Sequence, residues 1–241
     1  AADVVLFVGT RTNENGTDSW RAFPKNATFI HVDVASAEIG RNYEALRLLG
    51  DARLTLEDLT AALAAGDLAN RQATRDGFVE QIEAARSRAE SDLAATAFSH
   101  AVPLRPERVV AELDELISGI ANVVVTADAS YSTIWMGNQM RSRRVGQRFL
   151  APRGLAGLGW GLPLALGAKA ARPESTVISL VGDGGFGHVW SELETAVRED
   201  LPIVIILLNN GILGFQKHVE LVQLGLLHDQ VTVSVTRPDW P

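Results

Sequence analysis

The residues best equipped for chemistry lie in two short signatures in the last third of the chain, Gly182-Asp183-Gly184 and Asn209-Asn210-Gly211. Asp183 offers a carboxylate and Asn210 an amide oxygen, 27 positions apart. Such a pair suits a hard divalent cation such as Mg²⁺, which keeps octahedral oxygen coordination and takes its remaining ligands from phosphates and water. Each signature alone is weak, because Asp-Gly after a strand is commonly an ordinary turn.

The elements around them make the pair specific. Val177-Ile178-Ser179-Leu180-Val181 precedes the first signature, and Ile203-Val204-Ile205-Ile206-Leu207-Leu208 precedes the second. Short β-branched runs bounded by turn residues read as strands buried on both faces of a parallel sheet. Gly187 to Asp200 has the length and pattern of a crossover helix. Two parallel strands joined this way bring Asp183 and Asn210 to one carboxyl edge, where open α/β sheets bind ligands.

The rest of the chain divides at compositional breaks. Residues 1–66 read as βαβ material: strands Asp3–Val8 and Thr28–Val34, then a helix from about Thr55 to Ala65 opened by a Thr55-Leu56-Glu57-Asp58 capping box. From Asn70 to about Thr96 the pattern is a charged helix with one apolar stripe, Phe78, Ile82, Ala85, Ala89 and Leu93, which suits a connector packed between domains. Prolines between His100 and Pro106 mark a boundary. A helix Pro106 to Ser118, a strand Asn122 to Thr126, a Gly-rich stretch Gly154 to Gly161 and a helix Pro163 to Ala171 follow. The expected division is a partial central domain over 1–69, a helical connector over 70–102 and a second domain over 103–241. The chain opens without Met on a strand, and Val231–Thr236 has no helix to complete its unit, so a piece of something longer is expected.

Composition narrows the partners. With 22 basic against 29 acidic residues the net charge is −7, which argues against nucleic acid or an anionic membrane surface. The absence of cysteine removes disulfides and thiolate metal sites. Apolar runs fall far short of the ~20 residues that span a bilayer. No signal peptide is visible, so the expected location is the cytoplasm and the sequons at Asn15 and Asn26 read as chance matches. No strand is followed by the Gly-x-Gly-x-x-Gly fingerprint of a dinucleotide-binding domain.

The two signatures resemble the marker of the thiamine-diphosphate enzyme family, Gly-Asp-Gly followed at a set distance by Asn-Asn; here 24 residues, Gly185 to Leu208, separate them. The resemblance implies an α/β fold of parallel-sheet, three-layer domains: a thiamine-diphosphate-binding fold preceded by a partial Rossmann-like central domain. It implies thiamine diphosphate and Mg²⁺ as cofactors, with Asp183, the Asn210 side chain and a backbone carbonyl near Ile212 on the metal. Gly182, Gly184 and Gly185 would admit the diphosphate to unpaired N–H groups at the mouth of a helix starting near Phe186. Ser130, Ser132 and Thr133 correspond to a turn that touches the diphosphate, although plain turn chemistry accounts for these hydroxyls equally well. Gly157-Leu158-Gly159-Trp160-Gly161-Leu162-Pro163 corresponds to the stretch that props the cofactor in a bent form, a role that falls to Leu158 beside Gly157; on its own it would read as a helix-entry packing residue, and the two signatures downstream favour the cofactor role.

In this family the cofactor is an electron sink beside a carbonyl, activated by a glutamate from a separate domain, usually the neighbouring subunit's. Nothing in this sequence resembles that domain, so no catalytic side chain is assigned here. Glu192 and Glu194 are expected to pack or pair on the surface, and His31 and His188 to be structural. His218 and His228 follow Asn210, in a region that borders the substrate in relatives; His218 is the candidate contact, though a structural role suits it better.

Val8-Gly9-Thr10-Arg11 and Ile39-Gly40-Arg41-Asn42-Tyr43 resemble the acetolactate-synthase-like group. Flavin-containing members hold FAD on the central domain with an Arg that Arg11 matches; other relatives hold an ADP moiety there or nothing, and an Arg paired to a nearby carboxylate is as good an account. The stretch after Asn210 departs from biosynthetic members, with no Glu directly following and Val219 where they carry a tryptophan, so the substrate stays open. The resemblance is expected to fade after about Asp229. The implied function is part of an enzyme that decarboxylates a 2-oxo acid such as pyruvate and ligates or releases the acyl-anion equivalent. The alternatives are a decarboxylase, acyl-CoA lyase or cyclic-diketone hydrolase of the same family, or a non-catalytic truncated remnant. Relatives build the site between subunits, which implies a homodimer or homotetramer.

Overall fold

The computed structural model describes residues 2–66, 72–152 and 154–224, and the chain divides into two compact units, Ala1–Ala84 and Ala85–Pro241. His228 and the expected strand Val231–Thr236 lie outside the described residues. No helix among the described residues is long and apolar enough to cross a membrane.

The first unit is built on three parallel strands in the order β1 (Val4–Val8), β2 (Thr28–Asp33) and β3 (Leu46–Leu49). Val4 pairs opposite Thr28 and Ile30 opposite Leu46. β3 lies where the sequence reads as loop, since four residues starting at Leu46 are too few to show a period. The link from β1 to β2 is a loop that carries a short 3-10 turn, Asn15–Thr17. Local side-chain bonding explains it: Asn13 Oδ1 accepts the Gly16 N–H at 2.9 Å, and the Thr17 hydroxyl donates to the Asn13 carbonyl at 2.8 Å. Phe7, Phe23, Phe29 and Tyr43 form an aromatic cluster on this sheet.

Helix α1 (Ala52–Ala64) begins earlier than the capping box suggests, because the Asp51 carboxylate accepts the Leu54 N–H at 3.0 Å and takes the N-cap role from Thr55. Helix α2 (Gln72–Ala97) follows the charged pattern, but Phe78, Ile82 and Leu93 are exposed instead of packed. Ala85 and Ala89 occupy the middle of that stripe and offer little apolar area to drive its burial.

The second unit is a four-stranded parallel sheet in the order β5 (Arg148–Leu150), β4 (Val123–Ala127), β6 (Thr176–Gly182), β7 (Val204–Leu208). Its layers follow from side-chain alternation. Val123, Val125 and Ala127 of β4, with Ile178 and Leu180 of β6, cluster with Val110, Leu113 and Ile117 of helix α3 (Pro106–Ser118) and Met136 of helix α4 (Tyr131–Gln139). On the opposite face Val124 and Val177 pack with Ala165, and Val181 with Leu162, Leu166 and Phe186, from helices α5 (Gly161–Ala171) and α6 (Asp183–Gly187). This is the three-layer α/β arrangement expected.

Three local features differ from the sequence reading. The crossover helix is two pieces, α6 and α7 (Glu192–Arg198); between them the chain tightens into i→i+3 bonds from His188 to Gly185 and from Val189 to Phe186. α4 occupies a stretch whose Ser and Thr content suggests only a turn. β5, at three residues, is too short to show a period in the sequence; Gln147 holds the loop before it, donating to the Ile117 and Ile120 carbonyls at 2.9 Å each. Asp114 helps, accepting the Arg141 N–H and the Arg143 guanidinium.

Candidate functional site

β6 and β7 run side by side with Gly182 opposite Leu208, so the two signatures leave the sheet as neighbours at its carboxyl edge. Asp183 is buried, and its Oδ2 accepts the Gly211 N–H at 2.8 Å. Asn210 Oδ1 accepts the Ile212 N–H at 3.1 Å, a local turn bond completed by Gly211 in the left-handed region at φ +67°. Asp183 Oδ1 has no hydrogen-bond partner among the described residues. α6 begins at Asp183 itself and not near Phe186, which places Gly184 and Gly185 inside its first turn, among N–H groups that lack intrahelical partners.

This donor set fits a magnesium ion that arrives with a phosphate. Among the described residues no group of three or more His, Cys, Asp or Glu side chains could hold a metal ion. One carboxylate with neutral amide and carbonyl oxygens leaves charge on a divalent cation for a phosphate ligand to balance, the manner in which Mg²⁺ is commonly held.

A cleft opens at this edge, and the structure brings most of the sequence candidates into it. Ser130, Ser132, Leu158, Gly182, Asp183, Gly184, Gly185, Asn210 and Ile212 all line it. Gly157 and Thr133 do not. The Thr133 hydroxyl is buried and donates to the Asp128 carbonyl at 2.5 Å, while Gly157 lies beside the Trp160 indole. Arg11 belongs to the other unit, in the loop after β1, and its guanidinium makes neither ion pair nor hydrogen bond among the described residues; the paired-carboxylate account of it is therefore not realised. In that unit His31 ties two edge loops together. Its Nδ1 accepts the Gly40 N–H at 3.3 Å, which assigns the proton to Nε2 for donation to the Thr10 carbonyl at 3.0 Å.

The backbone at the cleft is strained at one place. Ser130, the residue before α4, has φ 77° and ψ −147°, a region populated almost only by glycine. Strain of this kind concentrates where a site requires it.

Sequence reasoning missed Asp128, Tyr131 and Trp135, all lining the same cleft. Asp128 repeats the pattern that identified Asp183, a carboxylate directly after a buried strand, and that signal was available once β4 is seen to end at Ala127. Tyr131 stacks on Trp135 with centroids 5.1 Å apart and meets Phe215 of helix α8 (Gly214–Leu224) edge-on at 5.8 Å. His218 is exposed and stands edge-on to Tyr131 at 6.3 Å, outside the cleft lining. Glu194 pairs with Arg198 at 3.0 Å and Glu192 accepts from the Thr195 hydroxyl at 2.9 Å, so both serve their own helix.

Comparison with known proteins identifies the family. Residues 128–238 match the description "Thiamine pyrophosphate enzyme, C-terminal TPP binding domain", and residues 1–59 match "Thiamine pyrophosphate enzyme, central domain". The first match extends past Asp229, beyond the point where the resemblance was expected to fade. The probable acetolactate synthase large subunit of Methanocaldococcus jannaschii is 34% identical over 217 residues, covering 88% of this chain and 35% of that protein. Acetolactate synthase isozyme 3 large subunit of Escherichia coli is 31% identical over 219 residues, 90% of this chain and 37% of that protein. The chloroplastic acetolactate synthase of Arabidopsis thaliana is 31% identical over 214 residues, 88% and 31% respectively. The chain thus spans about a third of the length of these relatives.

Proposed function

The chain belongs to the thiamine pyrophosphate enzyme family, and on that premise we propose that its second unit holds the Mg²⁺–diphosphate end of thiamine diphosphate in an acetolactate-synthase-like enzyme. The observation that carries the reading is the convergence of Asp183, Asn210 and Ile212 with Ser130, Ser132 and the α6 glycines on one cleft. Asp183, Asn210 and the Ile212 carbonyl take the metal. The first-turn N–H groups of α6 and the hydroxyls of Ser130 and Ser132 take the phosphate oxygens. Leu158, which lies between these elements in sequence and lines the same cleft, supports the cofactor head. The chemistry supplied by the bound cofactor is carbanion stabilisation next to a carbonyl.

The substrate class proposed is a 2-oxo acid, decarboxylated with ligation or release of the acyl-anion equivalent. The glutamate that activates the cofactor is assigned to a domain outside this sequence, contributed within a homodimer or homotetramer. Arg11, whose guanidinium has no partner among the described residues, is proposed to meet FAD or an ADP moiety on the first unit. Other lyase, decarboxylase or hydrolase reactions of the same cofactor are separated from carboligation by a product screen on the complete enzyme.

The test of the site is calorimetric titration of the chain with thiamine diphosphate, with Mg²⁺ and with chelator. Saturable binding that disappears on chelation is expected. Binding indifferent to the metal would remove the assignment of Asp183 and Asn210.

A further inference from the structure

Asp128 is the most heavily bonded side chain among the described residues that line the cleft, and it has no part in the proposed metal and phosphate contacts. It follows β4 directly, is 1% exposed, and accepts three backbone N–H groups through two oxygens. Oδ1 accepts from Ala129 at 2.8 Å, Gly159 at 3.0 Å and Trp160 at 3.1 Å; Oδ2 shares the Gly159 N–H at 3.0 Å. Two of the three donors come from a turn more than 30 residues away, and they flank Leu158 on its C-terminal side.

The surroundings are shaped to this carboxylate. A Cβ at Gly185 would lie 1.8 Å from Asp128 Oδ2, so the carboxylate occupies the space a side chain at that α6 position would need. A Cβ at Gly161 would lie 3.0 Å from the Asp128 nitrogen and 2.6 Å from Val181 Cγ1, so the start of α5 also comes as close to Asp128 as glycine alone allows. Gly159 completes the set at φ +89°, turning its N–H inward to the carboxylate. An acceptor-only group suits the position, since the Gly159 N–H reaches both oxygens and would face a donor if Oδ2 were the N–H₂ of an amide.

We infer that Asp128 is a positioning residue that holds the Gly159–Trp160 turn across the cleft and thereby fixes Leu158 against the head of the cofactor. The inference rests on the thiamine-diphosphate reading of the cleft. Asp183 and Asn210 grip the diphosphate end from β6 and β7; Asp128, from β4, acts on the other end of the ligand through the turn it clasps. Losing it frees the turn and leaves the metal and phosphate contacts in place.

Two probes separate the ends of the ligand: Mg²⁺ with inorganic pyrophosphate, and Mg²⁺ with thiamine diphosphate. Each is titrated against the full chain as wild type, Asp128→Asn and Asp128→Ala, and amide hydrogen exchange across residues 157–161 is followed without ligand. The expected result is pyrophosphate affinity within about two-fold of wild type in both variants, with thiamine diphosphate affinity lowered by about ten-fold or more. Exchange at Gly159 and Trp160 should accelerate in the same variants. Should Asp128→Asn keep the wild-type preference for thiamine diphosphate over pyrophosphate, the positioning role is wrong. Loss of both probes by both variants would make Asp128 a support of the whole domain and overturn the role equally. A wild-type chain that bound neither probe fails the functional reading itself and takes this inference with it, a result seen before any variant is made.

Discussion

Asp183 Oδ2 accepts the backbone N–H of Gly211 at 2.8 Å, so the carboxylate of the first signature fixes the turn of the second. The bond joins the ends of β6 and β7 and places Asn210 within the same turn. In the proposed site the carboxylate assigned to the metal would thus also organise the neighbouring assigned ligand, which lowers the reorganisation an ion would require.

Replacing that carboxylate therefore acts twice. Asp183→Ala is expected to lower Mg²⁺-dependent affinity for thiamine diphosphate by about 100-fold, corresponding to about 3 kcal/mol from a charged contact. Calorimetric titration with and without chelator measures it, and a variant that retained full metal-dependent affinity would remove Asp183 from the site.

Ser130→Gly should move stability and affinity in opposite directions. Relief of the φ 77° backbone is expected to raise unfolding stability by about 1 kcal/mol in a denaturant titration, net of glycine's own entropy cost. Loss of the hydroxyl should weaken pyrophosphate binding by about five-fold. A variant that gained in both would mean that the hydroxyl does not meet phosphate.

Gly185→Ala is expected to cost about 2 kcal/mol of stability, because the new methyl meets Asp128 Oδ2. The same substitution made in Asp128→Ala should cost clearly less, giving a non-additive pair. Equal costs in the two backgrounds would place the clash elsewhere.

Asp114 and Arg143 offer a test away from the cleft. The hydrogen bond that Arg143 donates to Asp114 is the main cause that raises the Arg143 guanidinium above its ordinary value, against a smaller lowering by burial. The group is charged in folded and unfolded chains alike, so the stabilisation it brings is present below its unfolded pKa and is lost only as pH rises through a still higher folded value. A double-mutant cycle of Asp114→Asn and Arg143→Gln should thus return about 0.5–1 kcal/mol, unchanged between about pH 6 and 9. A coupling that vanished within that window would contradict the assignment.

The sequence was most legible where local pattern and burial coincide. Pro106 at the first turn, followed by Val110, Leu113 and Ile117 on one face, marks α3 to the residue. The β-branched runs ending at Gly182 and Leu208 announce β6 and β7, and with them the two signatures at one edge. β3 and β5 were illegible because strands of four and three residues are fixed by their parallel neighbours and not by their own period. α4 was hidden because Ser130, Ser132 and Thr133 suit turns locally, while Met136 reveals a helix only through its place in the core. Asp128 lies at the far end of that scale: the Gly159 and Trp160 amides that define its work are distant in sequence, and local pattern carries no record of them.

The crowding around Asp128 bears on how the cleft can be altered. Gly161 and Gly185 press on it from two helices, so a first step at position 128, 161 or 185 meets a barrier unless a partner changes with it. Leu158 and Tyr131 face the same cleft with part of their surface still open to solvent. Divergence toward a new acceptor, in nature or in a selection experiment, has its open door at those two side chains, while the glycine-lined clasp behind them acts as inherited ground.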